Sequence, residues 1–124
     1  MKVTTLVLNP AGDPHFRSEE HFDTANLLKI AEDRVQNCRD KGADWTAGAI
    51  PFWAGEVLKA VEEGTDDDLS RATISMVMAA WLFDSIYCGV TAEQYHASDF
   101  EFTIAADGVV QHTRVPAAAN ESHT

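Results

Sequence analysis

Ten consecutive residues, Ile74 to Phe83, read Ile-Ser-Met-Val-Met-Ala-Ala-Trp-Leu-Phe, with Ser75 as the one polar side chain among them. A helix that is apolar on every side has no face to offer water, so it must be surrounded by protein or by lipid. Lipid is ruled out by length: Asp84 and Ser85 follow at once, well short of the roughly 20 apolar residues that a membrane span needs. The segment is therefore expected to be the central element of a core, or a helix half shared with a second subunit. Everything else in the chain has to cover it.

The 124 residues are 45% hydrophobic with three tryptophans, enough for one hydrophobic core and too few for two. Val3 to Leu8 is a β-branched and aliphatic run that predicts an N-terminal strand. Asn9 to Arg17, with Pro10, Gly12 and Pro14, predicts a loop. Ser18 followed by Glu19 and Glu20 looks like a helix start, so the first helix is expected from Glu19 to Lys41. Leu27, Leu28, Ala31, Val35 and Cys38 form its apolar stripe and Gly42 its stop.

Ala43 to Ala49 is expected to be a loop, and Pro51, suited to a first helical turn, to open a second helix through Glu63 with Ile50, Trp53, Val57 and Val61 buried. Thr65 and Asp68 have capping-box spacing and start the third helix, which Gly89 closes; Thr91 and Gln94 start a short fourth. Asp107 and Gly108 signal a two-residue hairpin turn. That turn would place Phe100 to Ala106 against Val109 to Val115, with Glu101 facing Arg114, and Phe100, Phe102, Ile104, Val109 and Val115 on one face.

The expected fold is therefore α+β. A three-stranded antiparallel sheet, the N-terminal strand plus the C-terminal hairpin, packs against three to four helices in the order β-α-α-α-α-β-β. Residues 1–116 are expected to form a single domain and 117–124 a disordered tail. Residues 1–20 have no basic start followed by an apolar run, so no secretory signal is expected and the expected compartment is the cytoplasm. There Cys38 and Cys88 would be reduced, buried thiols.

Net charge is −11, and it is unevenly spread. From Glu56 to Gly108 there are 11 acidic residues against Lys59 and Arg71, a net of −9, while the first 55 residues carry −2. Such a field repels phosphate backbones and argues against direct nucleic-acid binding, but attracts basic protein surfaces, including those that hold nucleic acid. Acidity also keeps a protein soluble, and that alone is a sufficient reading of it.

Motifs for chemistry are sparse. Asp13, His15, His21 and Asp23 supply metal-ligand types without a recognised spacing, and there is no HExxH. Asp84 interrupts the apolar helix, where an unpaired buried carboxylate is costly. It is either a general acid or base, or a structural group bonded to Ser85, Trp81 or a loop amide. Cys38 or Cys88 with His96 or His112 has no motif joining thiol to imidazole. Asp66, Asp67 and Asp68 suit a helix N-terminus through its dipole. The glycines form neither GxGxxG nor GxxxxGK followed by Ser or Thr, so common nucleotide sites are unsupported and no cofactor is expected. Trp45, Phe52, Trp53, Tyr87 and Tyr95 lie near loops or helix breaks, as interface anchors or as core.

In composition alone, and through no motif, the chain is similar to the small acidic inhibitors that phages and mobile elements make against nucleic-acid-handling host systems, CRISPR complexes among them. The leading expectation is a non-enzymatic, acidic interaction domain that binds and inhibits or regulates a basic, nucleic-acid-handling protein complex, by mimicry of nucleic acid. Glu56, Glu62, Glu63, Asp66, Asp67, Asp68 and Trp53 are the expected contact residues. Two alternatives stand beside it. One is a homodimeric structural or small-ligand-binding protein using the apolar half of the third helix or the Trp53 face; the other is a small enzyme using Asp84 or a His15/His21 metal site.

Overall fold

A computed structural model describes residues 1–116, with the side chain of His96 left out of that description. The chain runs β1 (Lys2–Leu8), β2 (Pro14–His21), α1 (Thr24–Lys41), α2 (Ala43–Glu63), α3 (Asp66–Tyr87), α4 (Ala92–His96), β3 (Ser98–Ile104) and β4 (Val110–Pro116). The α+β class holds, but the sheet has four strands in the order β2-β1-β3-β4 and is mixed. Two antiparallel hairpins, β1/β2 and β3/β4, are joined through a parallel β1/β3 pair in its centre. Parallel neighbours need a long crossover, and the four helices supply it. The expected tail, 117–124, lies outside the described residues. Among the described residues no helix is long and apolar enough to cross a membrane.

The third helix does what its composition requires. Met76 to Leu82 are all buried, an unbroken run that leaves no face to solvent. On one side it meets the inner face of the sheet, where Val3, Val7, Phe100, Phe102 and Ile104 are buried; elsewhere Leu27 and Ala31 of α1 and Ile50, Ala54 and Val57 of α2 join the same core. The run Met76 to Leu82 is enclosed by the chain itself. Trp81 stacks on Tyr95 at 4.5 Å, Tyr95 on Phe100 at 5.8 Å, and Phe100 on Phe102 at 5.9 Å, an aromatic column from α3 through α4 to β3.

Four departures from the sequence reading have local causes. The segment read as a loop and helix start contains β2, which lacks an apolar alternation because two of its three inward positions are polar: Phe16, Ser18 and Glu20 point inward opposite Val7, Thr5 and Val3. Glu20 accepts a hydrogen bond from Ser70 of α3. Thr5 Oγ1, Ser18 Oγ and Glu20 Oε2 are buried with no hydrogen-bond partner among the described residues. The first helix accordingly starts later, with Asp23 as its cap accepting from the Ala25 amide.

The second helix begins at Ala43, immediately after Gly42, whose φ of +93° turns the chain from α1 into α2 with no loop. Buried Thr46 fixes the joint by donating to the carbonyls of Gly42 (2.9 Å) and Cys38 (3.3 Å). Pro51 is inside the helix rather than at its start; it is exposed, and the buried stripe Thr46, Ile50, Ala54 and Val57 carries the helix past the hydrogen bond that proline cannot make.

The β3/β4 hairpin has a three-residue loop. The Gly108 amide donates to the Ala105 carbonyl, the Ala105 amide to that of Val109, and Gly108 takes the positive φ of +91°. The register is therefore one residue from the expected one. Glu101 faces Thr113, Arg114 faces Phe100, and Val109 is 58% exposed. A one-residue slip exchanges the faces of a strand, so Val110, His112 and Arg114, not Val109, Gln111 and Thr113, line the inner side.

The expected caps of α3 and α4 are present in full. Thr65 with Asp68, and Thr91 with Gln94, each make both bonds of a capping box. Between α2 and α3, Gly64 passes against the last turn of α2, where a Cβ in its place would lie 2.8 Å from Ala60 Cα and 3.0 Å from Ala60 O. The obstacle is backbone and cannot rotate away. Gly64→Ala is expected to cost about 1–3 kcal/mol through steric displacement at the α2/α3 turn, read as a lowered denaturation midpoint with an unchanged m-value.

Candidate functional site

The acidic segment spans the α2/α3 turn, and the two helices converge there on a cavity of about 520 Å3. Four of the seven expected contact residues line it: Trp53, Glu56 and Glu63 from α2, and Asp68 from α3. Its apolar wall is completed by Ala60, Ala72 and Ile74. Asp66 and Asp67 are exposed on the first turn of α3 beside it.

The remaining expected contact residue is elsewhere. Glu62 Oε1 is 3.3 Å from His15 Nε2 of β2, across the helix/sheet boundary.

Lys59 and Arg71, outside the expected contact set, also line this cavity and divide its acids into two kinds. Lys59 Nζ is 3.6 Å from Glu56 Oε2, and Arg71 Nη2 is 3.0 Å from Asp68 Oδ1. The Thr65 amide and the Arg71 guanidinium hold the Asp68 carboxyl below the usual carboxylate range. Asp68 is thus committed to the cap and to Arg71, while Glu63, Asp66 and Asp67 make no ion pair among the described residues. Helical spacing was the available signal: Glu56, Lys59, Ala60 and Glu63 share a face of α2, and Asp68, Arg71, Ala72 and Ser75 a face of α3.

Asp84 is largely enclosed, with its side chain 13% exposed, and its Oδ2 is 3.4 Å from Nε2 of His112, itself 24% exposed. The one-residue shift of β4 brings His112 there; its ring also lies against Phe100 and Phe102. Beside this pair Tyr95 donates to the Trp81 carbonyl at 2.9 Å, and Arg114 donates to Ser98 Oγ at 2.8 Å. This arrangement ties α3, α4 and β4 together. Neither of the two cavities between the helices is lined by Asp84, His112 or Tyr95.

His15 and His21 do not converge. Both are exposed on β2, six positions and so about 20 Å apart along a strand. His21 Nε2 lies 3.9 Å from Glu19, and Asp23 is occupied by its capping bond. Among the described residues no three His, Cys, Asp or Glu side chains are grouped to hold a metal. Cys38 is buried, but Cys88 is exposed at the end of α3, contrary to the expected burial of both; both thiols are free. The His96 side chain lies outside the described ones. Comparison with protein-family models, with curated proteins and with solved structures found no match to this chain.

Burial, reinforced by the nearby Asp84 charge, pushes the Tyr95 phenol well above the usual tyrosine range. A phenol held protonated in the folded chain stabilises fully below the unfolded tyrosine value of about pH 10, and this contribution is lost as pH rises beyond it. Tyr95→Phe is expected to cost about 1 kcal/mol at neutral pH and to flatten the decline in stability above about pH 10, as urea titrations at neutral and alkaline pH will show.

Proposed function

We propose that the chain is a non-enzymatic interaction domain whose α2/α3 groove docks a basic segment of a nucleic-acid-handling protein complex and so inhibits or regulates it. One observation carries this reading. Glu63 lines the cavity together with the apolar side chains of Trp53 and Ile74, Asp66 and Asp67 are exposed on the adjoining first turn of α3, and none of the three acids makes an ion pair among the described residues. Apolar surface beside acids that no Lys or Arg of the groove neutralises suits an amphipathic, Lys/Arg-bearing partner, the apolar side entering the cavity and the cations meeting the acids. On this reading the three acids would stand in for phosphates in front of such cations, and the −9 segment would steer the encounter.

A second reading, self-association, rests on Phe52 and Trp45, 61% and 49% exposed on α2, with Phe52 edge-on to Trp53 at 5.1 Å. Light scattering on the eluted chain separates the two: a monomer mass disposes of the dimer.

The docking reading is tested by capture from native lysate at low and then high salt, with charge-reversed variants beside the parent. Glu63→Lys with Asp67→Lys is expected to weaken capture by roughly tenfold or more. Glu32→Lys with Asp33→Lys, an equal charge change on exposed positions of α1, is expected to leave it nearly intact. Bound protein should elute as salt rises. Equal loss in both pairs, or none in either, would contradict docking at the groove.

A further inference from the structure

A second cavity, about 290 Å3, lies where α1, α2 and α3 meet. It differs in kind from the acidic groove, although Trp53, Ile74 and Ser75 line both. In a chain with 20 acidic residues, its lining includes none; its one charged residue is Arg34. Ile30, Trp45, Trp53, Met78 and Leu82 give it apolar walls. Cys38 adds a buried thiol whose pKa burial pushes up, a neutral surface and not a thiolate.

Arg34 is exposed and stands at the rim of this cavity with Asn37, one turn on along α1. Among the described residues its guanidinium makes neither an ion pair nor a hydrogen bond. Its helical neighbours at three and four positions, Ile30, Ala31, Asn37 and Cys38, are all uncharged, so its own helix face offers no carboxylate to satisfy it. Five N–H donors in a planar fork are thus presented at the mouth of an apolar cavity, with an amide beside them. Few convergent polar groups on otherwise hydrophobic walls are the usual make-up of a small-molecule site.

We infer that this cavity binds a small amphiphilic carboxylate, its alkyl or aryl tail between Trp45, Trp53 and Met78 and its carboxylate paired with Arg34 and Asn37. The volume limits the ligand to on the order of ten non-hydrogen atoms, at the roughly 30 Å3 each that liquid water occupies. An organic cation is disfavoured by Arg34, and a free inorganic anion has nothing to place against the tryptophans. The site shares Trp53, Ile74 and Ser75 with the docking groove but differs from it in ligand and in the polar groups that select it, Arg34 and Asn37.

Octanoate is the probe, with octanol as its uncharged counterpart, each titrated into the full chain and followed by calorimetry and by tryptophan fluorescence, which Trp45 and Trp53 report directly. Octanoate is expected to bind saturably at one site and roughly two- to fivefold more tightly than octanol, the gain of one charge-assisted pair at a solvent-exposed rim. Arg34→Met, on an exposed side chain, should keep the fold and remove that difference while sparing octanol. Ala49→Leu, which narrows the cavity, should weaken both ligands, and circular dichroism checks that both variants are folded. Equal binding of octanoate and octanol, octanoate binding untouched by Arg34→Met, or no saturable binding of octanoate would each overturn the inference.

Discussion

The burial of Met76 to Leu82 on every side is the constraint from which the rest of the molecule follows. A helix with no wet face needs cover around its whole circumference. Here the inner face of the sheet supplies one side and α1 and α2 the others. At the C-terminal end, Trp81 begins the aromatic column that fixes α4 and β3, and its carbonyl receives the Tyr95 hydroxyl. Charge on α3 is therefore confined to its two ends: three aspartates and Arg71 before the apolar run, and after it the largely enclosed Asp84, on the side where β4 brings His112.

What was legible in the sequence was local. The enclosed helix, the Thr65 and Thr91 caps, the stop at Gly42 and the stripe of α1 depend on residues within a turn or two of one another. β2 leaves little trace in sequence because two of its inward positions, Ser18 and Glu20, are polar, and the side-chain partner of Glu20 among the described residues is Ser70 of α3, 50 positions away. The parallel β1/β3 pairing spans nearly the whole chain and leaves no local trace. Gly108 reads in sequence as a turn residue, yet its positive φ closes a three-residue loop, and that one residue exchanges the faces of β4 and sets His112 against Asp84. Pro51 misled in the opposite sense, since a good first-turn residue also survives on the exposed side of a helix held by its buried stripe.

The acidic segment was legible as charge and illegible as a surface. Identical carboxylates have different duties: Glu62 reaches His15 on β2, Glu56 pairs with Lys59, and Asp68 serves its cap and Arg71. Only the three-dimensional arrangement separates these from Glu63, Asp66 and Asp67. The same holds for Trp53, which reads as either core or anchor in sequence and proves, with Ile74 and Ser75, to line two cavities of different character, one with three acids and two bases and one whose single charged residue is Arg34.

The most direct test of the account is amide shift mapping by NMR while the chain is titrated with a Lys/Arg-rich amphipathic helical peptide. The account predicts that the largest shifts gather on the two faces of the groove, at Trp53, Ala60, Glu63, Asp66, Asp67 and Ile74, and fade as salt rises. Shifts centred on the open face of the sheet, on α1, or spread evenly over the acidic surface would contradict it.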